Sequence, residues 1–194
     1  MKVVEIFDSI QGEGCWMGAY VTFIRLPGCN LKCPFCDEHS KYDQAEDMEV
    51  STILRNVNQH IVVITGGEPT INEELGYLIH CLKEAGHQVH IETNGTNPLP
   101  LVKPDWVTVS PKREGNFACV PTPNELKFVV DEDFQWSDVH RIHDKYPDVI
   151  VWLQPCDGPY IHKSKEKIMQ WMETWGMVRW LRAGIQLHKY YDAR

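Results

Sequence analysis

The 194-residue sequence contains no apolar run long enough to cross a membrane, so no membrane partner is expected. It also has no excess of positive charge: 19 Lys and Arg stand against 27 Asp and Glu, a net charge of −8. Sequence-independent nucleic-acid binding needs clustered bases to neutralise phosphates, so no nucleic-acid partner is expected either. Residues Met1 to Asp8 lack the charged-then-apolar order of a secretory signal, and a cytoplasmic location is the default expectation. No internal repeat, low-complexity tract or Pro/Gly/Ser linker divides the chain, so residues 1–194 read as a single domain able to bury a core. An even cysteine count is missing too. There are seven, and Cys29, Cys33 and Cys36 fall close together. Disulfide scaffolds are more often shorter and evenly paired, so this trio reads as a metal site in a reducing compartment. Cys15, Cys81, Cys119 and Cys156 are scattered and form no second ligand pattern.

What is present alternates between strand and helix patterns. Val3 to Phe7, Tyr20 to Ile24, Ile61 to Ile64, Val89 to Glu92, Trp106 to Val109, Leu126 to Val130 and Val149 to Leu153 read as strands. Helices are predicted from Ser51 to Asn58, from Asn72 to a stop at Gly86, near Trp136 to Tyr146, and near Lys163 to Trp175. Short apolar strands alternating with helices predict an α/β fold with a parallel sheet. A closed eight-fold barrel typically needs ~250 residues. A partial, open (β/α) barrel with about six core parallel strands and reduced helices fits this length better.

Such sheets carry their chemistry at the carboxyl ends of the strands. The segments predicted there are Cys29 to Cys36, Thr65-Gly66-Gly67-Glu68-Pro69, Thr93-Asn94-Gly95, Ser110-Pro111-Lys112 and Gln154-Pro155. The first has the spacing C-x3-C-x2-C. Structural zinc usually takes four protein ligands, and here only His39 could supply the fourth. Electron-carrying iron–sulfur clusters also usually take four cysteines. Three on a tight loop leave one iron of a cubane open to an outside ligand. In the second segment, two glycines allow the backbone close to a ligand, and Glu68 or a carbonyl can accept from an ammonium group.

The cysteine loop, with Phe35 before its last cysteine, and the Gly66-Gly67-Glu68-Pro69 run resemble the radical S-adenosylmethionine (SAM) superfamily. Further segments resemble one of its families, 7-carboxy-7-deazaguanine synthase, across nearly the whole chain. These are Phe7-Asp8-Ser9-Ile10-Gln11-Gly12-Glu13-Gly14, Val21 to Leu31, Ile91-Glu92-Thr93-Asn94-Gly95-Thr96, Val109 to Lys112, Glu125-Leu126-Lys127, Leu153-Gln154-Pro155 and Gln186-Leu187-His188-Lys189-Tyr190. The resemblance implies a lyase that converts 6-carboxy-5,6,7,8-tetrahydropterin to 7-carboxy-7-deazaguanine with loss of ammonia, in queuosine and 7-deazapurine biosynthesis. It implies a 4Fe–4S cluster on Cys29, Cys33 and Cys36, SAM, Mg²⁺, a homodimer and an external electron donor of the flavodoxin kind. It places substrate contacts at Ile10, Gln11, Gly12, Glu13, Arg25, Thr65 and His188, and SAM contacts at Phe35, Asp37, Gly67, Ser110, Pro111, Lys112 and Gln154, with Glu68 as a further acceptor.

Those residue types suit that substrate. Gln11 and Glu13 can read the donor edge of a pterin, and Arg25 can pair with its carboxylate. A flexible turn is the alternative reading of Gln11 to Gly14, and without the resemblance His188 reads as a solvated residue near the end of the sequence. Trp171, Trp175 and Trp180 read as core or dimer packing. Two positions depart from the family. Glu38 stands where a hydroxyl residue usually ligates Mg²⁺, and a carboxylate is itself a natural ligand for a hard cation. The sequence ends Tyr191-Asp192-Ala193-Arg194, and this tail, including Arg194, is expected to fold into the site. The alternatives from other classes are a radical SAM activase of a glycyl-radical enzyme, a non-catalytic zinc or iron–sulfur module, and a SAM-binding protein without turnover. Anaerobic reconstitution with iron and sulfide is expected to give a cluster that Cys33→Ala abolishes. Stoichiometric zinc with no iron uptake would favour the metal module instead.

Overall fold

The computed structural model describes all residues except Phe35, Asp37, Glu38, 113–119, 121 and Arg194. Two short strands, β1 (Lys2–Val3) and β4 (Glu46–Asp47), pair antiparallel beside the main sheet. The main sheet has eight strands in the order β10-β9-β8-β7-β6-β5-β3-β2. Here β2 is Glu5–Ile10, β3 Tyr20–Leu26, β5 Ile61–Gly66, β6 Gln88–Thr93 and β7 Trp106–Val109. The sheet continues with β8 (Glu125–Val130), β9 (Ile150–Pro155) and β10 (Leu181–Ala183). Only the β2–β3 pair is antiparallel; every other neighbour is parallel. The sheet is thus the open parallel barrel that the sequence pattern predicts. The six expected parallel strands correspond to β3 and β5 to β9, and the three-residue β10 adds a seventh.

The helices are α1 (Val50–Arg55), α2 (Leu75–Glu84), α3 (Trp136–His143), α4 (Ile161–Trp175) and α5 (Leu187–Tyr190). None among the described residues is long and apolar enough to cross a membrane. Helix α2 connects β5 to β6, α3 connects β8 to β9, and α4 connects β9 to β10. Alternation along each strand sorts side chains to two faces. Val62, Ile64, Val89, Ile91, Leu126, Val151 and Leu153 are fully buried on the outer face, as are Leu78, Ile79 and Leu82 of α2. Each such side chain contributes roughly 1.5–3 kcal/mol by leaving water. The inner face carries polar residues instead. Arg25 lies beside Thr65, Thr108 beside Glu125, and Lys127 beside Trp152 in strand register. The sheet therefore buries its outer face as core and keeps its inner face for chemistry.

The link from β2 to β3 is not a loose turn. Gln11 N donates to Ala19 O at 2.8 Å and Gly18 N to Gln11 O at 2.8 Å, pinching the base of a compact loop. The 3-10 turn Gly14–Trp16 lies inside that loop. It folds into the barrel lumen as a plug, with Trp16 packed 4.8 Å from His90 and edge-on to Trp106 at 5.7 Å. Gln11, Gly12 and Gly14 are buried, so the flexible-turn alternative does not describe this segment.

His90 is only 3% exposed beneath the plug, and burial pushes its imidazole down to about 4, partly opposed by Asp105 and Glu125. The unfolded chain takes up this proton near 6.5, whereas the folded chain holds His90 neutral until about pH 4. Stability is therefore lost as pH falls from 6.5 towards 4, by about 3 kcal/mol from this group. Urea unfolding at pH 7 and at pH 4.5 should show His90→Leu losing less stability than wild type over that interval. Equal losses would show that His90 titrates normally.

Candidate active site

A cavity of about 530 Å³ opens at the carboxyl ends of the parallel strands. Its wall takes Arg25 from β3, Thr65 and Gly66 from β5, Glu92 from β6, Lys127 from β8 and Gln154 from β9. The end of β2 supplies Ile10 and the plug Gln11, Gly12 and Glu13 from one side, and the segment around α5 supplies Gln186 and His188. Phe7 and Phe23 stack at 5.2 Å and give the cavity an aromatic wall.

One buried cation organises the polar wall. Lys127 Nζ donates to Glu13 Oε2 and lies 3.8 Å from Glu92 Oε2. Burial pulls the Lys127 ammonium down, but Glu13 and Glu92 outweigh it and hold the group above the usual lysine range. The same pairing works on Glu13. Burial raises its carboxyl, and Lys127 with the Gln186 amide brings it below the usual range. Gln186 Nε2 donates to Glu13 Oε1 at 3.0 Å. Gln11 Nε2 donates to Glu92 Oε1 at 3.0 Å, and Thr65 Oγ1 donates to Glu92 Oε2 at 3.2 Å. His188 lies so close to Gly12 that a Cβ there would fall 1.9 Å from Nδ1, and burial lowers the His188 imidazole. At the other end, Arg25 Nε donates to Glu5 Oε1 at 2.7 Å while its guanidinium carbon sits 5.6 Å from the Phe7 ring centroid.

Cys29, Cys33 and Cys36 all face this same cavity. The loop that carries them is sewn to the glycine-rich loop after β5. Gly67 N donates to Leu26 O at 3.0 Å, and Glu68 N donates to Gly28 O at 2.8 Å. The approach is close: a Cβ on Gly67 would meet Gly28 O at 1.7 Å. Gly66 adopts φ +128°, and a Cβ on it would meet Leu26 O at 2.1 Å. Both glycines are therefore required by backbone contact. Across the loop, Asn30 Nδ2 donates to Thr96 Oγ1 at 2.7 Å, and Asn94 Nδ2 donates to Asn30 Oδ1 at 3.0 Å. Among the described residues, no three His, Cys, Asp or Glu groups are placed to share one metal ion. The three thiols are spread around one cavity, which suits ligands to separate irons of one cluster. Lys112 and Ser110 face the same space, with Lys112 Nζ donating to Ser110 Oγ at 2.6 Å. The donor set and the glycine backbone thus fit a cluster with SAM beside it.

Most residues singled out in the sequence meet at this cavity. Two stand behind it. The Glu68 carboxylate is 1% exposed and turned into the protein. Its Oε1 accepts from Thr70 N at 3.1 Å, Thr70 Oγ1 at 2.5 Å and Thr93 Oγ1 at 2.6 Å, and its Oε2 accepts from Asn94 N at 2.6 Å. That corrects the expectation of a ligand-facing acceptor: the carboxylate does not line the cavity and instead braces two strand ends. Pro111 is buried and lines a second, small cavity together with Phe128 and Phe134 instead of the main one. Phe35, Asp37, Glu38 and Arg194 lie outside the described residues, as does the His39 side chain. Among the described residues the tail makes a local turn after α5 and, contrary to expectation, does not enter the cavity: Tyr190 and Tyr191 are exposed, and residues 190–193 are absent from its lining. Asp192 adopts φ 49°, and Ala193 N donates to His188 O at 2.9 Å. Sequence reasoning assigned no role to Glu92, Lys127 or Gln186. A charged residue inside an otherwise apolar strand was the available signal for the first two.

The Radical SAM superfamily model matches residues 23–112. The chain is 38% identical to the 7-carboxy-7-deazaguanine synthase of Bacteroides thetaiotaomicron, over 100% of this chain and 98% of that one. It is 36% identical to the enzyme of the same name from Synechocystis, over 99% and 93% of the two chains. The crystal structure of QueE from Escherichia coli superposes with a TM-score of 0.76 at 24% identity, covering 96% of this chain and 94% of that one, a likeness of fold. On the full-length similarity to these enzymes, the chain belongs to the 7-carboxy-7-deazaguanine synthase family of the radical SAM superfamily.

Proposed function

We propose that this chain converts 6-carboxy-5,6,7,8-tetrahydropterin to 7-carboxy-7-deazaguanine with loss of ammonia, a carbon–nitrogen lyase reaction of 7-deazapurine biosynthesis. The observation that carries the reading is the union in one cavity of three cysteine thiols with a buried Glu13–Lys127–Glu92 array. When bound, the cluster and SAM supply a 5′-deoxyadenosyl radical able to abstract hydrogen from carbon. The protein's part is to bind, orient and exclude water. Cys29, Cys33 and Cys36 hold the cluster. Gly67, Ser110, Lys112 and Gln154 contact SAM, together with Phe35 and Asp37.

The remaining wall reads the pterin. Its aminopyrimidine edge presents donors, which suit the carboxylates of Glu13 and Glu92. Gln11 and Thr65 already donate to Glu92, fixing its orientation before substrate arrives. Preformed hydrogen bonds of this kind lower the ordering cost of binding. Arg25, steadied by Glu5 and Phe7, presents its guanidinium to the substrate carboxylate. His188 adds a further polar contact to the substrate, and Arg194 is assigned to the same substrate. A single domain, a homodimer, Mg²⁺ ligated in part by Glu38, and an external flavodoxin-like reductant complete the proposal. Membership of the family favours this reading over the activase and the non-catalytic modules.

Mass spectrometry of an anaerobic assay with reductant, SAM and the tetrahydropterin tests the reaction. The 7-carboxy-7-deazaguanine product should appear, and Arg25→Lys should raise the substrate KM by roughly tenfold through loss of bidentate pairing. Cleavage of SAM with the pterin unchanged would refute the substrate assignment. Adding Mg²⁺ should stimulate wild type more than Glu38→Ala; equal stimulation would remove Glu38 from the metal site.

A further inference from the structure

Two rungs of one strand grip the plug, and only the upper one belongs to the cavity wall. Lys127 takes Glu13, as described. Two residues earlier on the same face of β8, Glu125 is 2% exposed and does not line the cavity. Its Oε2 accepts the plug's backbone Cys15 N at 2.7 Å. Its Oε1 accepts Thr108 Oγ1 at 2.7 Å and Trp106 Nε1 at 3.2 Å, both from β7. The plug comes in close to meet it. Gly14 adopts φ +71°, and a Cβ there would lie 2.5 Å from Glu125 Oε1. Any side chain at Gly14 would be strained by its backbone and would push the carboxylate away.

The geometry points to Glu125 as a positioning residue for the substrate-reading edge: by anchoring the Cys15 amide to β8, it sets how far the plug enters the lumen and so where Gln11 and Glu13 stand. The lever is short. Glu13 is two residues from Cys15, and Glu13 N is itself tied to Gln11 Oε1 at 3.2 Å. Cys15 lies at the exposed side of the plug, so with no acceptor on β8 its amide turns to water, which favours withdrawal of the plug. Withdrawal moves Gln11 and Glu13 while leaving the cluster loop, which hangs from β3 and β5, untouched.

The substrate arm of the test rests on the pterin reading, and a second arm does not. Glu125→Leu removes the anchor. Glu125→Gln retains an amide oxygen for Cys15 N; the Thr108 hydroxyl can reverse to accept from the new NH₂, whereas Trp106 Nε1 loses its acceptor, a loss on the β7 side that lowers stability and leaves the anchor in place. Gly14→Ala disturbs the same contact from the plug side and leaves β8 intact should Glu125→Leu fail to fold. In the reconstituted enzyme, Glu125→Leu and Gly14→Ala should raise the pterin KM at least tenfold, with iron content and SAM KM within twofold of wild type. Glu125→Gln should restore the pterin KM to within about threefold. Hydrogen exchange of a peptide covering residues 11–19, measured without substrate, should quicken at least tenfold in the first two variants and stay near wild type in the third. A residue that merely stabilises the fold would lower the melting temperature and the active fraction but leave KM and plug exchange unchanged, and that result would overturn the inference. If wild type fails to turn over the pterin, the proposed reaction falls. The exchange data then decide the anchoring alone: unchanged exchange in Glu125→Leu and Gly14→Ala would overturn it.

Discussion

A single buried ammonium holds the working parts of this molecule together. Lys127 rises from β8 into the lumen and meets Glu13 from the plug and Glu92 from β6. Through Glu92 it reaches Gln11 and Thr65, and through Glu13 it reaches Gln186. Segments at both ends of the sequence and three strands between them therefore converge on one charge. Burying such ions is costly, and a well-packed apolar set often gives equal or greater stability. What the array supplies is orientation: two carboxylates arranged before a ligand arrives, in a space that water only partly reaches. The outer face of the sheet, filled with Val, Ile and Leu, provides the stability that allows this inner face to be polar.

A second fastening keeps the cluster loop in register with that array. The main-chain bonds from Gly67 to Leu26 and from Glu68 to Gly28 lay the glycine-rich loop along the cysteine loop. The Glu68 carboxylate then ties both to the end of β6, next to Glu92. The cysteine end and the Glu13–Glu92 end of the cavity are thus joined by hydrogen bonds within the protein.

The sequence disclosed what is local. Three cysteines on one loop, two adjacent glycines after an apolar run, and alternating strand and helix patterns all follow from short-range spacing, although the first expected strand, Val3 to Phe7, is broken at Val4 into β1 and the antiparallel β2. The opaque parts depend on meetings between distant segments. Glu68 looked like a ligand acceptor because, beyond the local Thr70, the donors that hold it, Thr93 and Asn94, come from the end of the next strand. Gln11 to Gly14 allowed a turn because nothing local shows that β8 places Glu125 and Lys127 opposite it. Strand β10 is too short to carry a period, and pairing with β9 gives it its form. Glu92 and Lys127 were legible in principle. A charge within a buried strand must find a partner, and the pairing of one such acid with one such base was available to notice.

The claim that Lys127 governs the site is tested most directly by the titration of Glu13. Carbon-13 NMR of the glutamate side-chain carboxyls, with Glu13 assigned by Glu13→Gln, would follow its midpoint in wild type and in Lys127→Met. The account predicts a midpoint below the usual ~4.3 of a free glutamate in wild type, rising once the ammonium is gone and burial is opposed only by the Gln186 amide and His188. A Glu13 midpoint at or above the free value in wild type, unmoved by Lys127→Met, would contradict it.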